Sequence, residues 1–271
     1  MDERKDPHAP PEKGGLLHSA PPPNYTPPAT FQTSFACVSL HMTDRIRLLR
    51  FPSAHVQQIT AIVKQTWTRG IQVTRPYDAS NEIKLRGNPW SSSNGFWGDD
   101  RIHARRLVCA ILAGLFDLGW VLKASVDISK KEYDKDTLLF RRQTPPPPRC
   151  RWICFSFDKG DRLRLIDSPS ELNNSILAAC GVKVQSSKQV APGNFEIKFR
   201  GWPWQANGTE TVQARLLLLT LLECLEQHGF SLYASIDQDC GPGGDSRRTE
   251  ADTWFCNRQL DWQPGAPIYH S

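Results

Sequence analysis

Serine and aspartate stand two residues apart in two matching segments, Ser125 with Asp127 and Ser235 with Asp237. Alternate residues of a strand share a face, so each pair could set a carboxylate beside a hydroxyl, the start of a nucleophilic site. Such a site also needs a base, and no histidine or lysine recurs at fixed spacing from both pairs. The plainer reading makes these aspartates turn formers at strand ends. Asp136-Thr137 and Asp252-Thr253 read as strand-entry turns in the same way. Cys150 and Cys154 have a spacing loosely suited to zinc, but no second pair follows to complete a ligand set. His55, His103 and His228 fall on helical patterns without twins. There is no glycine-rich phosphate loop, no His-Glu-x-x-His and no Gly-x-Ser-x-Gly. The expectation is a protein without catalytic residues, metal or cofactor.

Two other patterns suit binding. Arg-Gly-x-Pro-Trp occurs at Arg86–Trp90 and at Arg200–Trp204. Glycine permits an unusual backbone angle, proline stiffens the turn and tryptophan offers a large flat surface. Trp90 and Trp204 occupy equivalent places, so a shared plug at a corner of the core explains both better than a ligand does. Trp202 has Asn88 at the matching position of the other unit and is expected to be exposed or specific to the second. Trp97 lies in a serine- and glycine-rich stretch that reads as a loop, where binding residues concentrate. Arg45, Arg47, Lys84 and Arg86 are expected to project from strands opposite the apolar side, forming an anion-attracting patch. Glu82 shares that face and moderates it.

These patterns come in twos because the chain is duplicated. Residues 82–90 read EIKLRGNPW and residues 196–204 read EIKFRGWPW, with seven of nine positions identical. DRIRLLRFPS answers DRLRLIDSPS, ARRLVCAIL answers ARLLLLTLL, LKASVD answers LYASID, and DTLLFRR answers DTWFCNR, in the same order. Each copy opens with an alternating hairpin. A Pro-Ser pair then announces a helix, with Ser53 or Ser170 as its N-cap. Two strands follow, then a long helix ending at Gly119 or Gly229, then two more strands. The order β-β-α-β-β-α-β-β predicts an α+β fold in two tandem pseudo-symmetric copies, each a mostly antiparallel sheet with helices on one face. The copies are expected to pack about a pseudo-two-fold axis with a groove between them. The segment Leu216–Leu225 is apolar almost all round, which predicts burial between layers or between copies.

The expected organisation is a disordered proline-rich tail over 1–33, a first repeat over 34–143, a polyproline linker over 144–149, a second repeat over 150–262 and a C-terminal tail over 263–271. Net charge is uneven: −1 over residues 1–30, +7 over 44–142 and −1 over 149–271. No uncharged apolar run reaches the roughly 18 residues a membrane helix needs, and the opening MDERKDPHAP has no signal-peptide core. The expectation is a cytoplasmic or nuclear protein with reduced thiols. Pro22-Pro23-Asn24-Tyr25 resembles the Pro-Pro-x-Tyr ligand of WW domains, which implies a WW-domain partner gripping Pro22, Pro23 and Tyr25. Taken together, the sequence points to a non-catalytic binding or adaptor protein with a protein partner. The alternative is a module binding nucleic acid or anionic lipid through the basic first repeat. An enzyme using the Ala-Ser-x-Asp strands is the third reading.

Overall fold

A computed structural model describes residues 33–90, 100–126, 136–238 and 252–268. The first copy comprises β1 (Phe35–His41), β2 (Arg45–Leu49), α1 (Ser53–Thr66), β3 (Ile71–Tyr77), β4 (Ser80–Leu85), α2 (Asp100–Asp117), β5 (Trp120–Val126) and β6 (Thr137–Arg142). The second repeats the order as β7 (Cys150–Asp158), β8 (Arg162–Ile166), α3 (Ser170–Cys180), β9 (Val184–Ala191), β10 (Asn194–Phe199), α4 (Glu210–Gln227), β11 (Ser231–Ile236) and β12 (Thr253–Gln259). Each copy forms one six-stranded sheet, in the order β3-β4-β2-β1-β6-β5 and its counterpart β9-β10-β8-β7-β12-β11. Every strand pairing is antiparallel. The duplicated α+β fold is therefore present in both halves. No described helix is long and apolar enough to cross a membrane. Pro22, Pro23, Tyr25, Trp97 and Asp127 lie outside the described residues.

Strand alternation builds the cores. Val38, Leu40, Ile46, Leu48, Ile83 and Leu85 face α1 and α2; Phe155, Phe157, Leu163, Leu165, Ile197 and Phe199 are their twins under α3 and α4. Ser53 and Ser170 are the first helical residues rather than caps: the caps are Pro52 and Pro169, with no side-chain bond. The Pro52 carbonyl accepts from the His55 and Val56 amides, so the turn closes on backbone alone. Gly119 and Gly229 end the long helices at φ of +82° and +78°, where L side chains are strained.

The joint between the copies departs from expectation. One face of α2 packs on its own sheet. The other packs on the outer face of the second sheet, where Cys154, Ile166, Ala234, Ile236 and Phe255 join the first core. The helix buried between the copies is thus α2. Helix α4, expected there, buries one face through Leu217, Leu221, Cys224 and Leu225 and leaves Val212, Leu216 and Leu219 exposed. The arrangement is head to tail, helix face onto sheet face, and not two-fold. A two-fold would bring α4 onto the first sheet as α2 is brought onto the second.

Charges secure this joint. Arg105, on α2, is 3% exposed and reaches Asp158 Oδ1 at 3.3 Å and Thr253 Oγ1 at 3.3 Å. Asp158 also accepts from Ser156 Oγ at 2.5 Å and pairs with Arg164 at 2.9 Å. Burial alone would raise the Asp158 carboxyl's pKa; the Arg105 and Arg164 charges outweigh burial and bring it below the usual carboxylate value. Arg106 makes a two-pronged contact with Asp167 at 2.8 and 2.9 Å near the surface. At the other end Phe116 meets Trp152 and Tyr233 edge-on, and the Leu122 amide donates to the Tyr233 hydroxyl at 2.7 Å.

Removing one partner of a buried pair strands the other charge, so Arg105→Ala is expected to cost about 3–5 kcal/mol. Arg106→Ala, at an exposed pair, should cost about 0–1 kcal/mol. Urea denaturation followed by circular dichroism measures both. Equal costs would remove Arg105 from its place as the bolt of the joint.

Candidate functional site

The basic strands of the first copy converge on an acid. The Glu82 side chain is wholly buried on the outer sheet face and receives Arg47 at 3.0 Å, Arg75 at 2.7 Å and Arg45 at 3.5 Å. Lys84 and Arg45 also answer Asp44, at 3.7 and 3.5 Å. The Arg47 guanidinium lies 3.9 Å from the centre of the Tyr77 ring. Arg86 falls just past the end of β4, exposed, and its carbonyl accepts the Trp67 indole N–H at 2.9 Å. The second copy repeats the device: Arg162, Arg164 and Lys188 surround Glu196. Register explains it, because β2 sets Arg47 opposite Glu82 and β8 sets Arg164 opposite Glu196. The predicted patch is thus a buried carboxylate inside a ring of cations.

Burial pushes the Glu82 carboxyl upward in pKa. Hydrogen bonds from Arg75 and Arg47 and the charges of Arg45 and Arg47 overcome it, leaving the group below its ordinary value. A group so depressed stabilises the fold above its unfolded pKa, near 4.3, and loses that contribution as pH falls through the folded value. The melting temperature should therefore drop below about pH 4. Glu82→Gln should lower it at neutral pH and flatten the acid limb. Thermal melts across pH test this, and an unchanged acid limb in the variant would contradict it.

The serines of the two serine–aspartate pairs each bond another aspartate. Ser125 Oγ donates to Asp136 at 2.7 Å and Ser235 Oγ to Asp252 at 2.9 Å, so each serine fixes the carboxylate at the start of the next strand. Among the described residues, no three His, Cys, Asp or Glu side chains converge as a metal site. Cys154 is buried.

The Arg-Gly-x-Pro-Trp turns hold the most informative difference between the copies. Trp90 is fully buried; its indole donates to the Arg45 carbonyl at 3.2 Å and its amide to the Thr43 carbonyl at 3.1 Å. Trp204 repeats both bonds, to Arg162 at 2.8 Å and Gly160 at 3.1 Å, but stays half-buried. Beside this shared corner the copies diverge. In the first, the residue capping the C-terminus of α1 is Trp67, whose ring is buried and whose indole donates to the Arg86 carbonyl. Arg69 lies across Gly87, where an added Cβ would come within 2.9 Å of it, and pairs with Asp100 at 2.7 Å. In the second copy the residue ending α3 is Gly181, and Val182 follows. Gly201, the twin of Gly87, faces open space.

An apolar cleft of about 380 Å³ results, walled by Val182, Phe199, Trp202, Pro203, Ala214 and Leu217. That lies within the roughly 300–1,000 Å³ of ligand pockets. Trp202 stands at its rim, 60% exposed, its ring resting against Gly160, where any Cβ would collide. Val182 is 90% exposed. Trp202 was legible in the sequence as unmatched; Val182 was not, because the α3 end is shortened and the two loops do not align letter by letter. The missing Trp67 is the signal that would have found it.

A family model for a single domain matches the chain twice, over residues 34–141 and 151–257. No curated protein matches it. Among solved structures, the chain is similar to a conserved kinetoplastid-specific protein from Trypanosoma cruzi, at 22% identity over 42% of this chain and 100% of that one, with a TM-score of 0.28. The two family matches fall on the two copies described above and together take in well over half the residues. The chain belongs to this domain family and carries the domain twice in tandem.

Proposed function

We propose that this is a non-catalytic binding protein whose second copy takes an apolar, aromatic side chain of a protein partner into the Val182–Trp202 cleft. One observation carries the reading: the first copy fills the equivalent place with its own Trp67 and closes it with the Arg69–Asp100 pair, while the second copy has Gly181 and Val182 there. A partner's indole would bury its ring between Trp202 and Leu217 and meet the Arg200 carbonyl, as Trp67 meets that of Arg86. Aromatic anchors in desolvated pockets supply most of the energy in such contacts.

The polyanion reading has less behind it. Four cations of the first sheet, Arg45, Arg47, Arg75 and Lys84, are already engaged by Glu82 and Asp44, which leaves an excess of two charges. A fall of affinity with salt would separate it from the cleft reading. Pro22-Pro23-Asn24-Tyr25 offers a separate ligand for a WW-domain partner. The seven free cysteines of the described residues suit a reducing compartment, cytoplasm or nucleus.

Val182→Arg sets a long cationic side chain, in the manner of Arg69, in the wall of a cleft also lined by Glu210, the counterpart of Asp100. It should leave the fold intact and abolish binding of tryptophan-bearing peptides selected from a display library. Trp202→Ala should weaken the same peptides by about 2 kcal/mol or more, the scale of an interface hot spot. Calorimetric titration measures both. Peptides that bind Val182→Arg as well as the parent protein would refute the cleft.

A further inference from the structure

The internal joint has two mating surfaces, a helix face and a sheet face. Each has a twin elsewhere in the chain. On the helix side, Ile102, Arg105, Arg106, Cys109 and Phe116 of α2 correspond to Val212, Arg215, Leu216, Leu219 and Glu226 of α4. On the sheet side, Trp152, Cys154, Ile166, Tyr233 and Phe255 correspond to Phe35, Cys37, Leu49, Lys123 and Leu139. In the joint Ile102, Arg105, Cys154, Ile166 and Phe255 are buried, and Cys109, Phe116, Trp152 and Tyr233 are partly buried. At the two ends of the chain both twins are open: Val212 and Leu219 are 56% and 54% exposed, and Leu216, Phe35 and Leu139 are exposed as well.

We propose that these open faces recognise each other between chains, so that α4 of one copy of this protein seats on the outer face of the first sheet of a second copy, as α2 seats on the second sheet. Three observations commit the surface to a second copy. The geometry already exists within the chain, built from the same domain on both sides. Away from one pair of positions the faces stay apolar, with Leu219 for Cys109, Phe35 for Trp152 and Leu139 for Phe255, and Leu216 replaces the charged Arg106. Where the joint sets Phe116 against Tyr233, 5.6 Å apart, the open faces carry Glu226 and Lys123, so an aromatic contact is replaced by opposite charges on the two partners at once. Electrostatic matching of this kind sets register and partner choice. The open α4 face also carries Glu223, and the residues of the first copy carry the chain's excess of positive charge.

The seat differs from the internal joint in one respect that fixes its strength. Arg105 finds Asp158, whereas Arg215 would meet the twin of Asp158, which is His41; Asp167 is replaced by Arg50. The bolting ion pairs are absent, so the contact is reversible. It is also heterologous, and a heterologous contact adds further copies in a row instead of closing at a dimer.

Sedimentation velocity of the full chain, at concentrations rising to about 0.5 mM, reads this directly at the micromolar and weaker affinities expected. The average sedimentation coefficient should climb with concentration past that of a dimer. Leu219→Asp, an exposed position, should hold the chain monomeric throughout. Glu226→Lys alone and Lys123→Glu alone should each weaken association by about tenfold. The two together should restore it. A parent chain that stays monomeric at every concentration would overturn the proposal, as would association indifferent to Leu219→Asp or a double variant no better than the singles. Since Leu219, Glu226 and Lys123 do not line the Val182–Trp202 cleft, peptide binding there should be unchanged in all these variants, and failure of one reading leaves the other standing.

Discussion

Helix α2 has to satisfy two sheets at once, and most of the molecule follows from that demand. An ordinary surface helix carries one apolar stripe and one wet face. This one buries Leu107, Ile111 and Leu115, and it also buries Arg105. A guanidinium between layers costs several kcal/mol unless it is paired and hydrogen-bonded. Asp158, Thr253 and the Ser156–Asp158 bond meet that requirement. Arg164 holds the far oxygen of the same carboxylate and reaches Glu196 at 3.3 Å. The joint is therefore continuous with the buried carboxylate of the second sheet, and the two copies share one electrostatic network.

That unequal sharing gives the duplication its consequences. Two domains with the same strand order and the same Trp–carbonyl corner differ in what each covers for itself. The first copy closes its corner with Trp67, Arg69 and Asp100 and lends its helix to the joint. The second keeps an amphipathic α4 and leaves its corner open at Gly181 and Val182. The same family domain thus supplies a scaffold half and a half with an accessible apolar surface.

The strands, the helices, their order and the duplication were legible because apolar alternation and helical spacing are local signals written twice. The corner tryptophans were legible for the same reason, though Trp204 is less buried than its twin. The cations Arg45, Arg47 and Lys84 were found, but their convergence on Glu82 depends on cross-strand register, which sequence spacing does not carry. The longer-range errors share one cause. Leu216–Leu225 reads as buried because its composition is apolar, whereas the charged Arg105 and Arg106 give no local sign that α2 lies between two sheets. Arg105 is buried because Asp158 pairs with it, and Asp158 lies more than fifty residues away in sequence. The expected two-fold arrangement fails for the same reason, because the ion pairs that place α2 on the second sheet are long-range.

Helix α2 and its Arg105–Asp158 pair make one cooperative body of the two copies. Native-state hydrogen exchange of the β1–β2 and β7–β8 amides, followed against increasing urea, tests it most directly. If α2 binds both sheets, the two sets of amides merge into one unfolding isotherm with a common slope and free energy. Two separate isotherms, with one copy opening while the other stays protected, would contradict the shared helix as the constraint on which the structure rests.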